Sequence, residues 1–82
     1  MRLAATIPHD EVRISVFAWN DKFLVKFEKA GMEQTYKIAE MDIPGSGNLE
    51  KMIDDELIDT VLETFQKMGK AWKGAQERMD TL

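Results

Sequence analysis

Ile58, Val61, Phe65, Met68, Trp72, Ala75 and Met79 recur at alternating spacings of three and four residues, the period of an α-helix with a single apolar seam. From Leu49 to Phe65, Leu49, Met52, Ile53, Leu57 and Leu62 widen the stripe into a broad face suited to packing on a sheet. The pattern predicts a helix over about residues 48–80. Beyond Met68 the stripe narrows toward a coiled-coil-like seam, interrupted by Gly69 and Gly74, each of which costs about 1 kcal/mol relative to alanine in a helix interior. Gly69 could end one helix and begin another. Continuity is the preferred reading, because the seam keeps its phase across both glycines.

The first half of the chain has a different period. Val12, Ile14, Val16 and Ala18 alternate with Arg13, Ser15, Phe17 and Trp19, as in a half-buried strand over about residues 11–19. Asn20 and Asp21 tolerate positive φ and suit a two-residue turn into a second strand, about 22–29. That loop sets Ala18 opposite Phe23, Val16 opposite Val25, Ile14 opposite Phe27 and Arg13 opposite Glu28. All the strongly apolar pairs then share one face, and a slip of one residue would invert a strand. Ala30 and Gly31 mark the next turn and a third strand over about 33–41. This pairs Val25 with Tyr36 and Phe23 with Ile38, and it puts Glu28 against Glu33, a like-charge contact. Residues 42–48, with Pro44, Gly45 and Gly47, read as a loop in which Ser46 or Asn48 caps the helix.

The expected fold is therefore α+β: a three-stranded antiparallel β-meander followed by a long C-terminal helix packed on one face, a single domain over residues 1–82. A strand of eight residues spans about 26 Å, whereas a helix from Leu49 to Met79 runs about 45 Å. The helix should outrun its sheet and leave Trp72 and Met79 uncovered unless a partner buries them. A second copy is the expected cover, with Val61, Phe65, Met68, Trp72 and Met79 as the dimer interface. At 82 residues a chain hides only about 60 % of its unfolded surface, so oligomerisation would also add stability.

Composition narrows the classes of function. The absence of cysteine excludes disulfides, thiolate metal sites and a cysteine nucleophile, and suits a reducing compartment, with the cytoplasm as the default. No apolar run approaches the roughly 20 residues of a membrane span. A net charge of −4 argues against nonspecific nucleic-acid binding, whose affinity comes from neutralised phosphates. Asp54, Asp55, Glu56, Asp59 and Glu63 crowd the start of the helix, where its dipole favours carboxylates. That structural role is preferred to a metal site.

The inventory for catalysis is poor, and no enzyme activity, metal or cofactor is expected. His9 is the only histidine and sits in a loop beside Pro8 and Asp10, so it could serve as a general base only with a pocket built around it. Ser15 and Ser46 lack a partner base. The Gly45, Ser46, Gly47 stretch lacks the lysine and the longer glycine loop of a phosphate-binding motif.

The face opposite the core carries Arg13, Phe17, Trp19, Lys26 and Lys37, with Leu24 between them. Aromatics among cations serve both protein contacts and single-stranded nucleic acid. The acidic total favours a protein partner, with single-stranded nucleic acid as the alternative. In element order, the meander followed by one long helix resembles the dimeric single-stranded-DNA-binding domains of transcriptional coactivators. The resemblance implies a dimer and a sheet that binds DNA, but it is carried by no residue motif, and fold alone is a weak guide to function. The reading is a small non-catalytic homodimeric module that binds another protein.

Overall fold

The computed structural model describes residues 1–43 and 49–81. Four strands, β1 (Arg2–Ile7), β2 (Arg13–Trp19), β3 (Lys22–Lys29) and β4 (Met32–Ala39), form one antiparallel sheet in sequential order. A short 3-10 turn, Glu40–Asp42, follows, then the four-residue α1 (Leu49–Met52) and the long α2 (Asp55–Asp80). The α+β class, the antiparallel sheet and the C-terminal helix are as expected. The proposed cap at Ser46 or Asn48 lies outside the described residues.

The register between β2, β3 and β4 is the one the apolar pattern demands. Ala18 faces Phe23, Val16 faces Val25, Ile14 faces Phe27 and Arg13 faces Glu28. Phe23 faces Ile38, Val25 faces Tyr36 and Glu28 faces Glu33. Both hairpins turn on two residues of positive φ, Asn20 (49°) with Asp21 (60°) and Ala30 (52°) with Gly31 (77°). Such pairs match the twist of the flanking strands.

The expected count of three strands is corrected to four. The N-terminal segment pairs with β2 as an edge strand, with Ile7 opposite Ile14, Ala5 opposite Val16 and Leu3 opposite Phe17. A bulge between Leu3 and Ala5 breaks the register. The extra residue sends Leu3 to one face and Ala5 and Ile7 to the other, so the strand has no period-two signature along its length.

The core lies between the sheet and the helices. It is built from Val12, Ile14, Val16, Val25 and Phe27 on the sheet side and from Leu49, Ile53, Ile58, Val61 and Phe65 on the helical side. The helical region is not continuous from residue 48. The Asp54 carboxylate accepts the Leu57 N–H at 2.9 Å and caps α2, leaving Ile53 and Asp54 between the two helices. The break has a packing reason. At about 100° per residue, Leu49 in an unbroken helix would stand about 180° from Ile58. The interruption turns Leu49 and Ile53 into the core, where both are buried. Past this point α2 runs unbroken through Gly69 and Gly74, in keeping with the unbroken phase of the seam.

Candidate interaction surfaces

Two apolar surfaces remain outside the core, and both follow from the register. The first is the distal part of the helix seam. Val61 and Phe65 are fully occupied by the chain's own core, at 1 % and 2 % exposure. Met68 is half-buried, and Met32 at the start of β4 reaches the helix beside it, its Cε lying 3.6 Å from where a Cβ on Gly69 would stand. Beyond that contact the sheet ends. Trp72 is 64 % exposed and Met79 66 % exposed, and the molecule is drawn out to 53 Å along its longest axis. Between the β3–β4 turn and the helix lies a shallow groove lined by Gly31, Met32, Met68, Ala71 and Trp72.

The seam also changes direction. A strict seven-residue repeat drifts about 20° per heptad around a straight helix, so Met68, Trp72, Ala75 and Met79 point roughly 40° away from the direction of Ile58, Val61 and Phe65. Gly31 and Met32 of the β3–β4 hairpin line one side of this groove, and Met68, Ala71 and Trp72 of α2 the other. The contribution of Gly31 and Met32 to this surface was not anticipated from sequence. It depends on where the hairpin tip meets the helix, and no spacing encodes that.

The second surface is the outer face of the sheet. Cross-strand partners share a face, and one row across all four strands reads Leu3, Phe17, Leu24, Lys37. Phe17 and Leu24 are half-buried and Leu3 is 57 % exposed. A neighbouring row holds Trp19, Lys22 and Ala39, with Trp19 49 % exposed. Arg13, Phe17, Trp19, Lys26 and Lys37 thus share this face as expected, but they do not alternate ring with cation. Lys26 forms an ion pair with Glu33 at 3.1 Å, and Arg13 is the cross-strand neighbour of Glu28. The centre is an apolar row, of which Leu3 was missed because β1 carries no period-two signal.

His9 lies in the exposed loop between β1 and β2, and its Nδ1 accepts the Glu11 N–H at 3.1 Å. The lone pair a general base would use thus holds the turn. Asp54, Asp55 and Glu56 sit at the start of α2 as cap and first-turn acids. Among the described residues no cluster of histidine, cysteine and carboxylates is arranged to hold a metal ion, and no helix is long and apolar enough to cross a membrane. Compared with protein-family models, curated proteins and solved structures, the chain finds no match in any of the three.

Proposed function

We propose that the chain is a small non-catalytic interaction module that self-associates through the distal seam of α2 and binds another protein through the outer face of its sheet. The observation that carries this reading is the exposure of Trp72 and Met79, at 64 % and 66 %, on a helix whose seam is core from Ile58 to Phe65. Two large apolar side chains in phase with a buried stripe form the kind of patch that association covers.

The outer face supports a protein partner more than single-stranded nucleic acid. Its centre is Leu3, Phe17 and Leu24, and two of its cations stand beside carboxylates, whereas a nucleic-acid surface needs unneutralised cations along the phosphate path. Sedimentation of the intact chain over a concentration series tests self-association: mass should approach twice 9.4 kDa, and Trp72→Asp with Met79→Asp should return it to the monomer. A monomer at every concentration removes the homodimer. Titration with labelled single-stranded oligonucleotides at low salt tests the alternative, and salt-sensitive binding abolished by Trp19→Ala would favour nucleic acid over a protein partner.

A further inference from the structure

Resting on the homodimer reading above, we infer that the two copies join edge to edge along β4, antiparallel about a two-fold axis at Thr35, with Glu33 of each copy opposite Lys37 of the other. The sheet then runs unbroken through both copies. Three observations carry this arrangement.

The first is that one edge of the sheet is blunted and the other is open. β1 is six residues long, is bulged between Leu3 and Ala5 and is followed by Pro8, all features that discourage a further strand. β4 is eight residues long and pairs with β3 in unbroken register. Ladder bonds alternate from residue to residue along an antiparallel pair. The two-residue turn makes Lys29 and Met32 a bonded pair, and just past the other end of β4 the Glu40 N–H donates to the Asp21 carbonyl at 2.8 Å. The even-numbered residues of β4 therefore bond to β3, and Glu33, Thr35 and Lys37 turn their N–H and C=O groups outward. All three are exposed, and among the described residues no main-chain hydrogen bond from another element reaches them.

The second is the match of side chains. Cross-strand partners share a face, so an axis at Thr35 sets Thr35 on the partner's Thr35, Glu33 on the partner's Lys37, Gln34 on the partner's Tyr36 and Met32 on the partner's Ile38. Charge meets opposite charge, polar meets polar and apolar meets apolar, all favourable pairs. The outward-facing pairs also exchange main-chain hydrogen bonds in both directions. Neighbouring registers lose this match. An axis at Tyr36 sets Glu33 on the partner's Ala39 and Gln34 on the partner's Ile38, and one at Gln34 sets Glu33 on the partner's Thr35 and Met32 on the partner's Tyr36. Axes at Glu33 or Lys37 stack like charges. The two edge charges thus select one register and reject those that repel.

The third is an unanswered cation. Lys26 reaches Glu33 at 3.1 Å, whereas among the described residues Lys37 has no ion-pair partner. Its cross-strand neighbour within the chain is Leu24, and the partner's Glu33 supplies the carboxylate on its other side. β4 is also the strand that Gln34 ties to the Val61 carbonyl of α2, and Met32 at its start lines the groove beside Trp72. The open edge therefore adjoins the apolar surface of α2 on which the homodimer reading stands.

Hydrogen exchange of the intact chain, read residue by residue by NMR at concentrations where sedimentation shows monomer and dimer, tests the edge. The amides of Glu33, Thr35 and Lys37 should exchange at least tenfold more slowly in the dimer. A dimer in which they exchange as fast as in the monomer overturns the edge pairing and leaves the homodimer standing. A monomer at every concentration removes both. Charge exchange tests the register. Glu33→Lys alone and Lys37→Glu alone each set like charges opposite one another on both sides of the axis and should weaken self-association about tenfold. An equimolar mixture of the two variants restores opposite charges throughout, so the mixed dimer should form in large excess over either same-variant dimer. Statistical proportions of the three dimers overturn the inferred register.

Discussion

Gln34 of β4 donates its side-chain N–H to the Val61 carbonyl of α2 across 3.0 Å, and its Oε1 accepts the Tyr36 hydroxyl at 2.9 Å. Gln34 is 9 % exposed, so a polar side chain sits at the edge of an otherwise apolar core and pins the helix to the sheet at one height. Tyr36 in turn packs edge-on against Phe27, with ring centroids 5.9 Å apart.

Gln34→Ala should therefore destabilise the fold by about 1–3 kcal/mol, since it removes a buried hydrogen bond and leaves a void. Tyr36→Phe, which keeps the ring and loses only the hydroxyl, should cost about 0.5–1.5 kcal/mol. Urea unfolding followed by circular dichroism measures both. A larger loss for Tyr36→Phe than for Gln34→Ala would contradict this ordering.

The cap at Asp54 gives a second prediction. Asp54→Ala removes the acceptor of the Leu57 N–H and should lower stability by roughly 0.5–2 kcal/mol. Asp54→Asn, which keeps a capping oxygen, should recover most of that loss. Thermal melts of the two variants provide the comparison.

Gly69→Ala should raise stability by about 1 kcal/mol, because Gly69 is interior to α2 and an added Cβ would meet only the flexible end of Met32 at ordinary contact distance. Were Gly69 instead the terminus of a helix, alanine would destabilise. The sign of the change in chemical denaturation is thus a direct probe of helix continuity.

Ala30 adopts a φ of 52°, a region in which a side chain with a Cβ costs about 1–2 kcal/mol. Ala30→Gly should relieve that strain and stabilise the β3–β4 hairpin by roughly 0.5–1 kcal/mol net of the added freedom of the unfolded chain. Equilibrium unfolding checks this, and a fall in the midpoint would refute it.

Much of the fold can be read in the residues because each apolar side chain has one place to go. Ile14, Val16, Val25 and Phe27 admit only one register that buries them together, and the phase of the seam across Gly69 and Gly74 specifies a continuous α2. The bulge beside Ala4 hides β1 by breaking its alternation. The division of the helix at Ile53 was legible in principle, since Leu49 is out of phase with Ile58. A single broad apolar face that includes both residues conceals it. Gln34 carries no such signal, because an isolated glutamine on a strand does not reveal that a helix carbonyl stands above it. Of the candidate surfaces, Trp72 and Met79 follow from the length of the helix against its sheet. The apolar row from Leu3 to Leu24 requires the fourth strand to be placed first.

Every strand pairs with its neighbour in sequence, while the residues that cover the sheet's apolar face come after all four. On the ribosome the meander is thus synthesised before Leu49 to Asp80, roughly 30 residues that take about 2–6 s to add. For that interval Ile14, Val16, Val25 and Phe27 have no helix to fold against. The nascent chain carries a greasy half-domain whose completion waits on translation, so slow codons or pauses between β4 and α2 would lengthen its exposure to chaperones and to other nascent chains.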